Sequence, residues 1–307
     1  MINNLNYEVI IIGGGPAGLT AGLYTSRARL NSMLIEKMGV GGQIANAERV
    51  DNYPGFPEGV SGFELGQLIH QQAIKYGLKT LLIEVTGIEF QEERKVVKTA
   101  GGNFTAKVVI IASGSERRKL GVPGEEKLAG KGVSYCATCD AAFFKEKPVV
   151  IVGGGDAAIT EALYLAKFAS KVTVMHRRDQ LRASPILQEK AFSEPKIEFL
   201  WDTVVEEIEG RNLVQRIRLR QVKTGEKSIL DISGIFVSVG LKPNTDYLKG
   251  VLPLDATGYI TTNDKMEAEI PGIFAAGDVR HNSARQAITA AGDGATAAIY
   301  AEKFVTE

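Results

Sequence analysis

Runs of apolar residues that end in glycine clusters set the pattern of this chain. The segment from Val9 to Tyr24 reads VIIIGGGPAGLTAGLY: a run rich in valine and isoleucine, three glycines, then apolar residues at helical spacing. This pattern predicts a buried β-strand, a tight turn and an α-helix. The segment from Val149 to Tyr164 reads VVIVGGGDAAITEALY and repeats it 140 residues later. The sequence therefore predicts an α/β protein with two Rossmann-like units.

Both glycine clusters match the dinucleotide fingerprint in the strand–turn–helix context that this motif requires. In the first copy, Gly13, Gly15 and Gly18 allow a tight turn, close backbone approach to a pyrophosphate and close packing of helix on strand. The second copy keeps the spacing from Gly153 to Ala158, with alanine as an accepted variant in the last position. A glycine-rich turn can also be a plain connection in an α/β protein. Two copies at a domain-sized offset favour two dinucleotide sites.

The residue that ends the second strand of each unit indicates which nucleotide binds there, because it meets the adenosine ribose. The strand predicted at Ser32 to Ile35 ends at Glu36, a carboxylate that accepts hydrogen bonds from ribose hydroxyls and repels a 2′-phosphate, so this site suits FAD or NAD. The strand predicted at Val172 to Met175 is followed by HRRDQLR, residues 176–182. Guanidinium groups pair bidentately with phosphate, so this site suits NADPH. The alternative is a solvated basic face, but acid and base at matching positions argue against it.

Two further apolar strands belong to the first unit, so the second unit is inserted into it. They are predicted at Val108 to Gly114 and at Gly272 to Asp278. Asp278 is placed to bind the hydroxyls of a flavin ribitol or, alternatively, to cap a helix. The predicted domains are residues 1–113 with 241–307 for FAD, and 114–240 for NADPH. The two chain crossings would form a hinge. Between Leu81 and Thr105, β-structure is predicted with turns at Gly87 and Gly101–Gly102.

The chain has two cysteines, Cys136 and Cys139, and their spacing indicates redox chemistry. A structural staple is disfavoured outside small secreted domains, and the three histidines show no zinc-ligand spacing. Free N–H groups at a helix start would lower a thiolate pKa. Asp140 either donates a proton to a departing thiolate or stabilises the helix start. Because the dithiol and the NADPH site share one domain, rotation of that domain could present each in turn to the flavin.

Overall composition excludes several functional classes. Lys+Arg and Asp+Glu both total 36 of 307 residues, so net charge offers no reason to expect nucleic acid or an anionic membrane surface as a partner. The N-terminus MINNLNYE lacks the features of a signal or transit peptide, and no apolar run is long enough for a transmembrane helix. A cytoplasmic protein is expected.

Seven ordered motifs carry a resemblance over essentially the whole chain. They are GGGPAG, GGQ, NYPG, CATCD, GGGDAA, HRRD with Arg182, and FAAGDV followed by RQA. The chain resembles the bacterial low-molecular-weight thioredoxin reductases, in the class II pyridine nucleotide-disulfide oxidoreductase family. The resemblance implies two three-layer ββα domains of the FAD/NAD(P)-binding type, a homodimer, tightly but not covalently bound FAD, NADPH as electron donor, and thioredoxin as the protein substrate.

The resemblance also implies roles for individual residues. Cys139 would face the flavin, Cys136 would exchange with the thioredoxin disulfide, and Asp140 would be the acid. The FAD site would comprise Gly13, Gly15, Pro16, Ala17, Gly18, Glu36, Lys37, Gly41, Gly42, Gln43, Asn52, Val85, Gly277, Asp278, Arg285, Gln286 and Ala287. The NADPH site would comprise Gly155, Asp156, Ala157, Ala158, His176, Arg177, Arg178 and Arg182.

Other functions stay open at this level. One is a reductase for another CxxC carrier, either glutaredoxin-like or peroxiredoxin-linked. A dithiol oxidase acting on small molecules is a second, and a ferredoxin-driven reductase is disfavoured by the arginines of the second unit. A nucleotide-binding redox sensor without turnover comes from a different class, and the CxxC followed by Asp140 argues against it.

Overall fold

A computed structural model describes residues 6–47, 49–91 and 94–307. The strands are β1 (Asn6–Ile12), β2 (Ser32–Glu36), β3 (Lys79–Leu82), β4 (Val85–Gln91), β5 (Arg94–Thr99), β6 (Gly102–Ile111), β7 (Ser115–Arg117), β8 (Val133–Ser134), β9 (Pro148–Val152), β10 (Lys171–Met175), β11 (Ile197–Leu200), β12 (Thr203–Glu209), β13 (Arg216–Gln221), β14 (Lys227–Asp231), β15 (Gly234–Val237), β16 (Leu241–Pro243) and β17 (Ile273–Ala275).

The α-helices are α1 (Pro16–Arg27), α2 (Gly62–Lys75), α3 (Ala137–Asp140), α4 (Asp156–Leu165), α5 (Pro185–Ser193) and α6 (Ala287–Thr306). Short 3₁₀ turns lie at Gly42–Asn46, Ala141–Phe144, Asp246–Leu248 and Gly277–Val279. No helix in the described ranges has both the length and the apolar character needed to cross a membrane.

The chain divides into two compact units, one discontinuous in sequence. The first contains the residues up to Glu116 together with Lys242–Glu307, and the second is Arg117–Leu241. These limits lie beside the domain boundaries proposed from the sequence. The chain passes between the units through β7 and β16, which pair with each other as a two-stranded sheet.

The first unit is built on a parallel sheet with β1 at its centre. The strand order is β3-β2-β1-β6, and Ile11 is paired with Leu34 on one side and Ile110 on the other. On the side of β6 that faces away from β1, two strands pair with it. Strand β5 pairs antiparallel with the first half of β6, and β17 pairs parallel with the second half. Strand β4 extends the antiparallel part beside β5.

Alternating side chains of β1 fill two cores, one on each face of the sheet. Val9 and Ile11 pack with residues of α1, α2 and α6, whereas Ile10 and Ile12 pack with residues of the antiparallel strands, and all four are at most 5% exposed. Because successive side chains of a strand point to opposite faces, an uninterrupted apolar strand must be covered on both sides. The first unit therefore has three layers: helices, parallel sheet and antiparallel sheet.

The second unit repeats this arrangement. Its parallel sheet has the order β11-β10-β9-β15-β8, and a separate antiparallel sheet has the order β12-β13-β14. Ile151 of β9 packs on the side of α4 and α5, while Val150 packs on the side of the antiparallel sheet. The predicted α/β class with two Rossmann-like units is confirmed.

Two local predictions differ from the structure. Gly87 is not in a turn but inside β4, where the pairing with β5 shifts register between Val85 and Gly87. A glycine in an antiparallel strand can mark such a bulge as well as a turn. The strand predicted to reach Asp278 ends at Ala275, and Asp278 lies in the 3₁₀ turn that follows.

Candidate active site

The two cysteines form a disulfide at the beginning of a short helical turn. Cys136 is the N-cap residue of α3, Cys139 lies within it, and their Cα atoms are 5.3 Å apart. The backbone N–H groups of Cys139 and Asp140 both donate to the carbonyl of Cys136, at 3.2 and 3.1 Å. Cys139 is exposed and Cys136 is half-buried. The sequence prediction of a redox-active pair fits this geometry, because the helical turn holds the two cysteines close enough to form a bond.

Three polar side chains lie in the dithiol segment, those of Ser134, Thr138 and Asp140. The hydroxyl of Ser134 accepts a hydrogen bond from the N–H of Cys136 (3.1 Å) and donates one to Oδ2 of Asp140 (2.6 Å). The hydroxyl of Thr138 lies 3.4 Å from Sγ of Cys136, and it must be the donor because a disulfide sulfur carries no proton. Asp140 is half-buried. The carboxyl expected to act as an acid thus has a fixed partner.

A buried carboxylate anchors the segment that leads into the dithiol. Glu125 is 1% exposed and accepts hydrogen bonds from the N–H groups of Leu120 (2.9 Å) and Gly121 (2.8 Å) and from the hydroxyl of Tyr135 (2.8 Å). Burial, reinforced by Glu125, raises the pKa of the Tyr135 hydroxyl far above its usual value. Tyr135 stays protonated and fixes the backbone next to Cys136. Neither residue was predicted as part of the site.

In the first fingerprint, the glycines serve two different needs. A Cβ atom at Gly13 would lie 2.3 Å from the carbonyl oxygen of Ala112, and one at Gly18 would lie 1.8 Å from that of Gly13, so the fold itself requires both glycines. At Gly15, the N-cap of α1, a Cβ would meet only Cα of Gly42, at 3.9 Å. The space before the helix start is therefore free for a ligand, and the helix N-terminus favours an anion there.

Glu36 is the last residue of β2, and its carboxylate is held against the first fingerprint. Oε2 accepts a hydrogen bond from the N–H of Gly14 (2.6 Å), and Oε1 accepts one from the N–H of Met38 (3.1 Å). Gly14 was missed in the sequence analysis, although it is the middle glycine of the cluster and precedes the N-cap. Lys37, predicted beside the cofactor, is exposed and forms an ion pair of 3.5 Å with Glu116.

The loop containing Gly41 and Gly42 lies on the first fingerprint. The N–H of Gly41 donates to the carbonyl of Gly14 (2.8 Å), and a Cβ at Gly42 would be 2.9 Å from Cα of Gly15. Gln43 follows within the 3₁₀ turn Gly42–Asn46. Gly41 and Gly42, distant from the glycine cluster in sequence, thus lie against it in the fold.

Two other predicted residues, 234 positions apart, also meet. Nδ2 of Asn52 donates to Oε1 of Gln286 at 3.1 Å. Gln286 is also the N-cap of α6, which begins at Ala287. Val85 begins β4 and is half-buried. Arg285 lies over the ring of Tyr259, with its guanidinium carbon 5.9 Å from the ring centre.

The turn that carries Asp278 is fixed by an ion pair that the sequence analysis missed. Asp293 accepts hydrogen bonds from the N–H of Gly277 (3.0 Å) and, on both oxygens, from Arg280 (2.6 and 2.9 Å). The side chains of Arg280 and Asp293 are 18% and 10% exposed. Asp278 itself accepts from the hydroxyl of Ser283 (3.1 Å) and is not the N-cap of its turn, which is Ala276. The only sequence signal for the pair is a lone aspartate in the alanine- and glycine-rich start of α6.

The second fingerprint has an equally open helix start. Gly155 is the N-cap of α4, and a Cβ there would have no atom within 4 Å. Oδ1 of Asp156 accepts from the N–H of Ser184 (2.6 Å), and the carbonyl of Gly154 accepts from the N–H of Arg182 (2.7 Å). Ala157 and Ala158 complete the first turn of the helix. The segment containing Arg182 is therefore tied to the fingerprint.

Basic residues follow the end of β10. His176 is 6% exposed and lies directly against Gly154, where a Cβ would be 2.4 Å from its ring. Burial, with the nearby arginines, lowers the pKa of His176, and its Nε2 has no hydrogen-bond partner within the described residues. Three exposed guanidinium groups surround it, those of Arg177, Arg178 and Arg182. This donor set fits a phosphate group.

Nearby carboxylates do not neutralise this cluster. Asp179 and Asp202 instead form ion pairs with Lys223, at 3.0 and 2.9 Å. In the described part of the chain, no salt bridge joins the three arginines to an acid. An orphaned buried nitrogen, an open helix start and uncompensated cations together fit a phosphorylated nucleotide.

The family model described as Pyridine nucleotide-disulphide oxidoreductase matches residues 7–294. The chain belongs to this family. Membership implies a flavin and a pyridine nucleotide, in agreement with the two fingerprints, and a disulfide oxidoreductase activity, in agreement with the bonded Cys136 and Cys139. The two open helix starts, at Gly15 and Gly155, fit these two groups.

Relatives within the pyridine nucleotide-disulphide oxidoreductase family are similar over nearly their whole length. The thioredoxin reductase of Bacillus subtilis (strain 168) is 48% identical over 302 residues, which cover 98% of this chain and 95% of that protein. The crystal structure of the thioredoxin reductase from Streptococcus pyogenes MGAS5005 has a TM-score of 0.93 at 45% identity and covers 99% of both chains. That of the Lactococcus lactis thioredoxin reductase in its FR conformation has a TM-score of 0.69 at 46% identity, covering 98% of this chain and 99% of that one.

Proposed function

We propose that this protein is an NADPH-dependent thioredoxin reductase, a flavoprotein that passes electrons from NADPH through FAD to the Cys136–Cys139 disulfide and on to the disulfide of thioredoxin. The observation that carries the proposal is the location of the disulfide, in the same unit as the arginine-flanked fingerprint. Relatives with the name thioredoxin reductase, 45–48% identical over nearly the whole chain, support it.

NADPH is assigned to the second unit. The open helix start at Gly155 would bind the pyrophosphate, and Arg177, Arg178 and Arg182 would bind the 2′-phosphate. A strand that ended in a carboxylate would repel that phosphate. The preference for NADPH over NADH therefore rests on these guanidinium groups.

FAD is assigned to the first unit. The helix start at Gly15 would bind its pyrophosphate, Glu36 its ribose hydroxyls, and Asp278 its ribitol chain. Glu36 is already oriented by the N–H of Gly14, so its free lone pairs point in a fixed direction. When bound, the flavin would supply the change from two-electron hydride chemistry to thiol–disulfide chemistry.

The dithiol would have one sulfur for each side of the reaction. We assign Cys139 to the flavin side and Cys136 to exchange with thioredoxin, with Asp140 as the acid that protonates a departing thiolate. The half-burial of Asp140 and its hydrogen bond from Ser134 support this role, because a general acid must be held within reach of the sulfur.

The proposal also assigns a role to each domain and a motion between them. Residues 1–113 with 241–307 would be the FAD-binding domain, and 114–240 the NADPH-binding domain. Rotation about the paired strands β7 and β16 would alternate nicotinamide and disulfide at the flavin. A homodimer and a cytoplasmic location stay part of the prediction.

The direct test is the reduction of the host's thioredoxin by the purified, flavin-loaded protein. NADPH is expected to support turnover, and NADH far less. Glutaredoxin-like and peroxiredoxin-linked carriers serve as competing substrates, and a faster reaction with one of them would replace thioredoxin as the partner. Purified protein without bound flavin, or NADPH oxidation without reduction of any disulfide, would contradict the proposal.

A further inference from the structure

Ser134 joins the two chemical groups of the dithiol segment. It ends strand β8, which pairs with β15, and is 5% exposed. Its oxygen lies 3.1 Å from the backbone nitrogen of Cys136 and 2.6 Å from Oδ2 of Asp140. The carbonyl of Cys136 is farther away, at 3.4 Å. One hydroxyl is thus placed between a redox cysteine and the carboxyl that follows the other cysteine.

The direction of these hydrogen bonds is fixed by the number of protons. Ser134 has one hydroxyl proton, and the backbone N–H of Cys136 must be the donor in their contact. The hydroxyl proton therefore goes to the nearer acceptor, the carboxylate of Asp140. A hydrogen bond donated to a carboxylate fixes its orientation.

Other charged groups around α3 do not replace this contact. Helix α4, which packs against α3, carries Asp156 and Glu161. Asp156 accepts from Ser184, and Glu161 faces Ser238 and Arg117. Strand β8 and the 3₁₀ turn Ala141–Phe144 carry no charged side chain. In the described part of the chain, no salt bridge reaches Asp140.

We propose that Ser134 is a positioning residue that holds the Asp140 carboxyl beside the dithiol during thiol–disulfide exchange. This inference rests on the proposed function and names a residue that the reaction would require besides Cys136, Cys139 and Asp140.

One enzyme thiolate attacks the partner disulfide, so a mixed disulfide forms and the partner's S–S bond breaks. The second enzyme sulfur then closes the Cys136–Cys139 disulfide and releases the other partner sulfur; the enzyme dithiol is oxidised by two electrons and the partner reduced by two. Asp140 takes a proton from an enzyme thiol and gives it to a departing partner thiolate, ending as it began. The Ser134 hydroxyl donates to the Asp140 carboxylate before it takes up the proton and again after it releases it.

A purely structural role for Ser134 predicts a different dependence of the rate on the disulfide substrate. The hydrogen bond from the Cys136 N–H to the Ser134 hydroxyl closes a local turn of a kind that serine commonly forms. If that were all, loss of the hydroxyl would affect every disulfide substrate equally. If Ser134 acts through Asp140, the loss should depend on the leaving group, because a thiolate of low pKa departs without help from an acid.

The test compares two kinds of disulfide with the holoenzyme. Thioredoxin and hydroxyethyl disulfide release alkyl thiolates, whereas DTNB releases an aromatic thiolate of low pKa. With Ser134→Ala, the rate with alkyl disulfides is expected to fall about tenfold or more, a part of what general acid catalysis supplies. The rate with DTNB should change much less.

Matched variants complete the experiment. Ser134→Thr keeps a hydroxyl and should restore most of the rate. In an Asp140→Asn background, Ser134→Ala should add no further loss. Equal losses with DTNB and alkyl disulfides, or full additivity with Asp140→Asn, would overturn the proposal. Because hydroxyethyl disulfide is tested beside thioredoxin, an enzyme that reduces only the small disulfide would refute thioredoxin as partner while leaving the role of Ser134 measurable.

Discussion

Replacing Gly155 by alanine is expected to leave the fold intact and to weaken NADPH binding. The backbone of Gly155 has φ −100° and ψ 178°, which any residue adopts, and a Cβ there meets no atom within 4 Å. The loss of unfolded-state entropy stabilises such a variant by about 0.4–1 kcal/mol. Alanine is a poorer N-cap than glycine, by about 0.5 kcal/mol or more, which offsets this gain. We expect the free energy of unfolding of the apoprotein to stay within about 1 kcal/mol of wild type.

The effect on the nucleotide should be much larger. Phosphate oxygens must approach the N–H groups at the start of α4 to about 2.9 Å, and the new methyl group would occupy that approach. Each hydrogen bond to a charged group contributes about 1.5–3 kcal/mol. Loss of one or two such bonds weakens binding by roughly tenfold to about ten-thousandfold.

Gly154 provides the matched control. A Cβ at Gly154 would lie 2.4 Å from Nδ1 and Cε1 of the buried His176 ring, so that ring would have to move. Overpacking of this kind costs about 1–3 kcal/mol. Gly154→Ala should therefore lower the free energy of unfolding, unlike Gly155→Ala.

Two measurements on each variant decide the matter: urea unfolding of the apoprotein, and calorimetric titration of the flavin-loaded protein with NADP⁺. If Gly155→Ala bound NADP⁺ as wild type does, the pyrophosphate would not lie at the start of α4. A loss of about 2 kcal/mol or more in the free energy of unfolding of Gly155→Ala would be about twice the entropy effect expected for such a change. That result would contradict the conclusion that a Cβ at Gly155 meets no other atom.

Three further predictions concern the dithiol, the phosphate site and the turn around Asp278. Cys139→Ser should retain bleaching of the flavin absorbance by NADPH and lose thioredoxin reduction; continued thioredoxin reduction would refute the proposed electron path. Arg177→Ala combined with Arg178→Ala should raise KM for NADPH about a hundredfold or more and that for NADH little, from about 1.5–3 kcal/mol per lost charge-assisted bond; equal effects on both would refute the phosphate assignment. Asp293→Asn should destabilise the protein by about 2–4 kcal/mol in urea unfolding, since it breaks a largely buried ion pair, whereas Glu126→Gln, in an exposed pair, should have no measurable effect.

Local sequence patterns were sufficient for the parts of this molecule that depend on neighbouring residues. A strand, a turn and a helix are contiguous in the chain, so each fingerprint carries its whole geometry within about sixteen residues, as at Val9 to Tyr24. The spacing of Cys136 and Cys139 likewise determines that one helical turn can join them. Glu36 was identified because it ends a strand next to the fingerprint. One of the two exceptions, Gly87, shows that glycine alone does not distinguish a turn from a bulge.

Only the tertiary structure decided which polar groups meet across the fold. Glu125 and Tyr135, Arg280 and Asp293, and Ser134 and Asp140 are partners separated by 6 to 13 positions, with no periodic pattern to mark them. Each is fixed because a buried polar group must find a partner, and the available partner depends on how strands and helices pack. The sequence determined which cofactors and which chemistry to expect, through motifs that are local. Packing determined which side chains hold the reactive groups in place, because hydrogen bonds depend on distance in space and not along the chain.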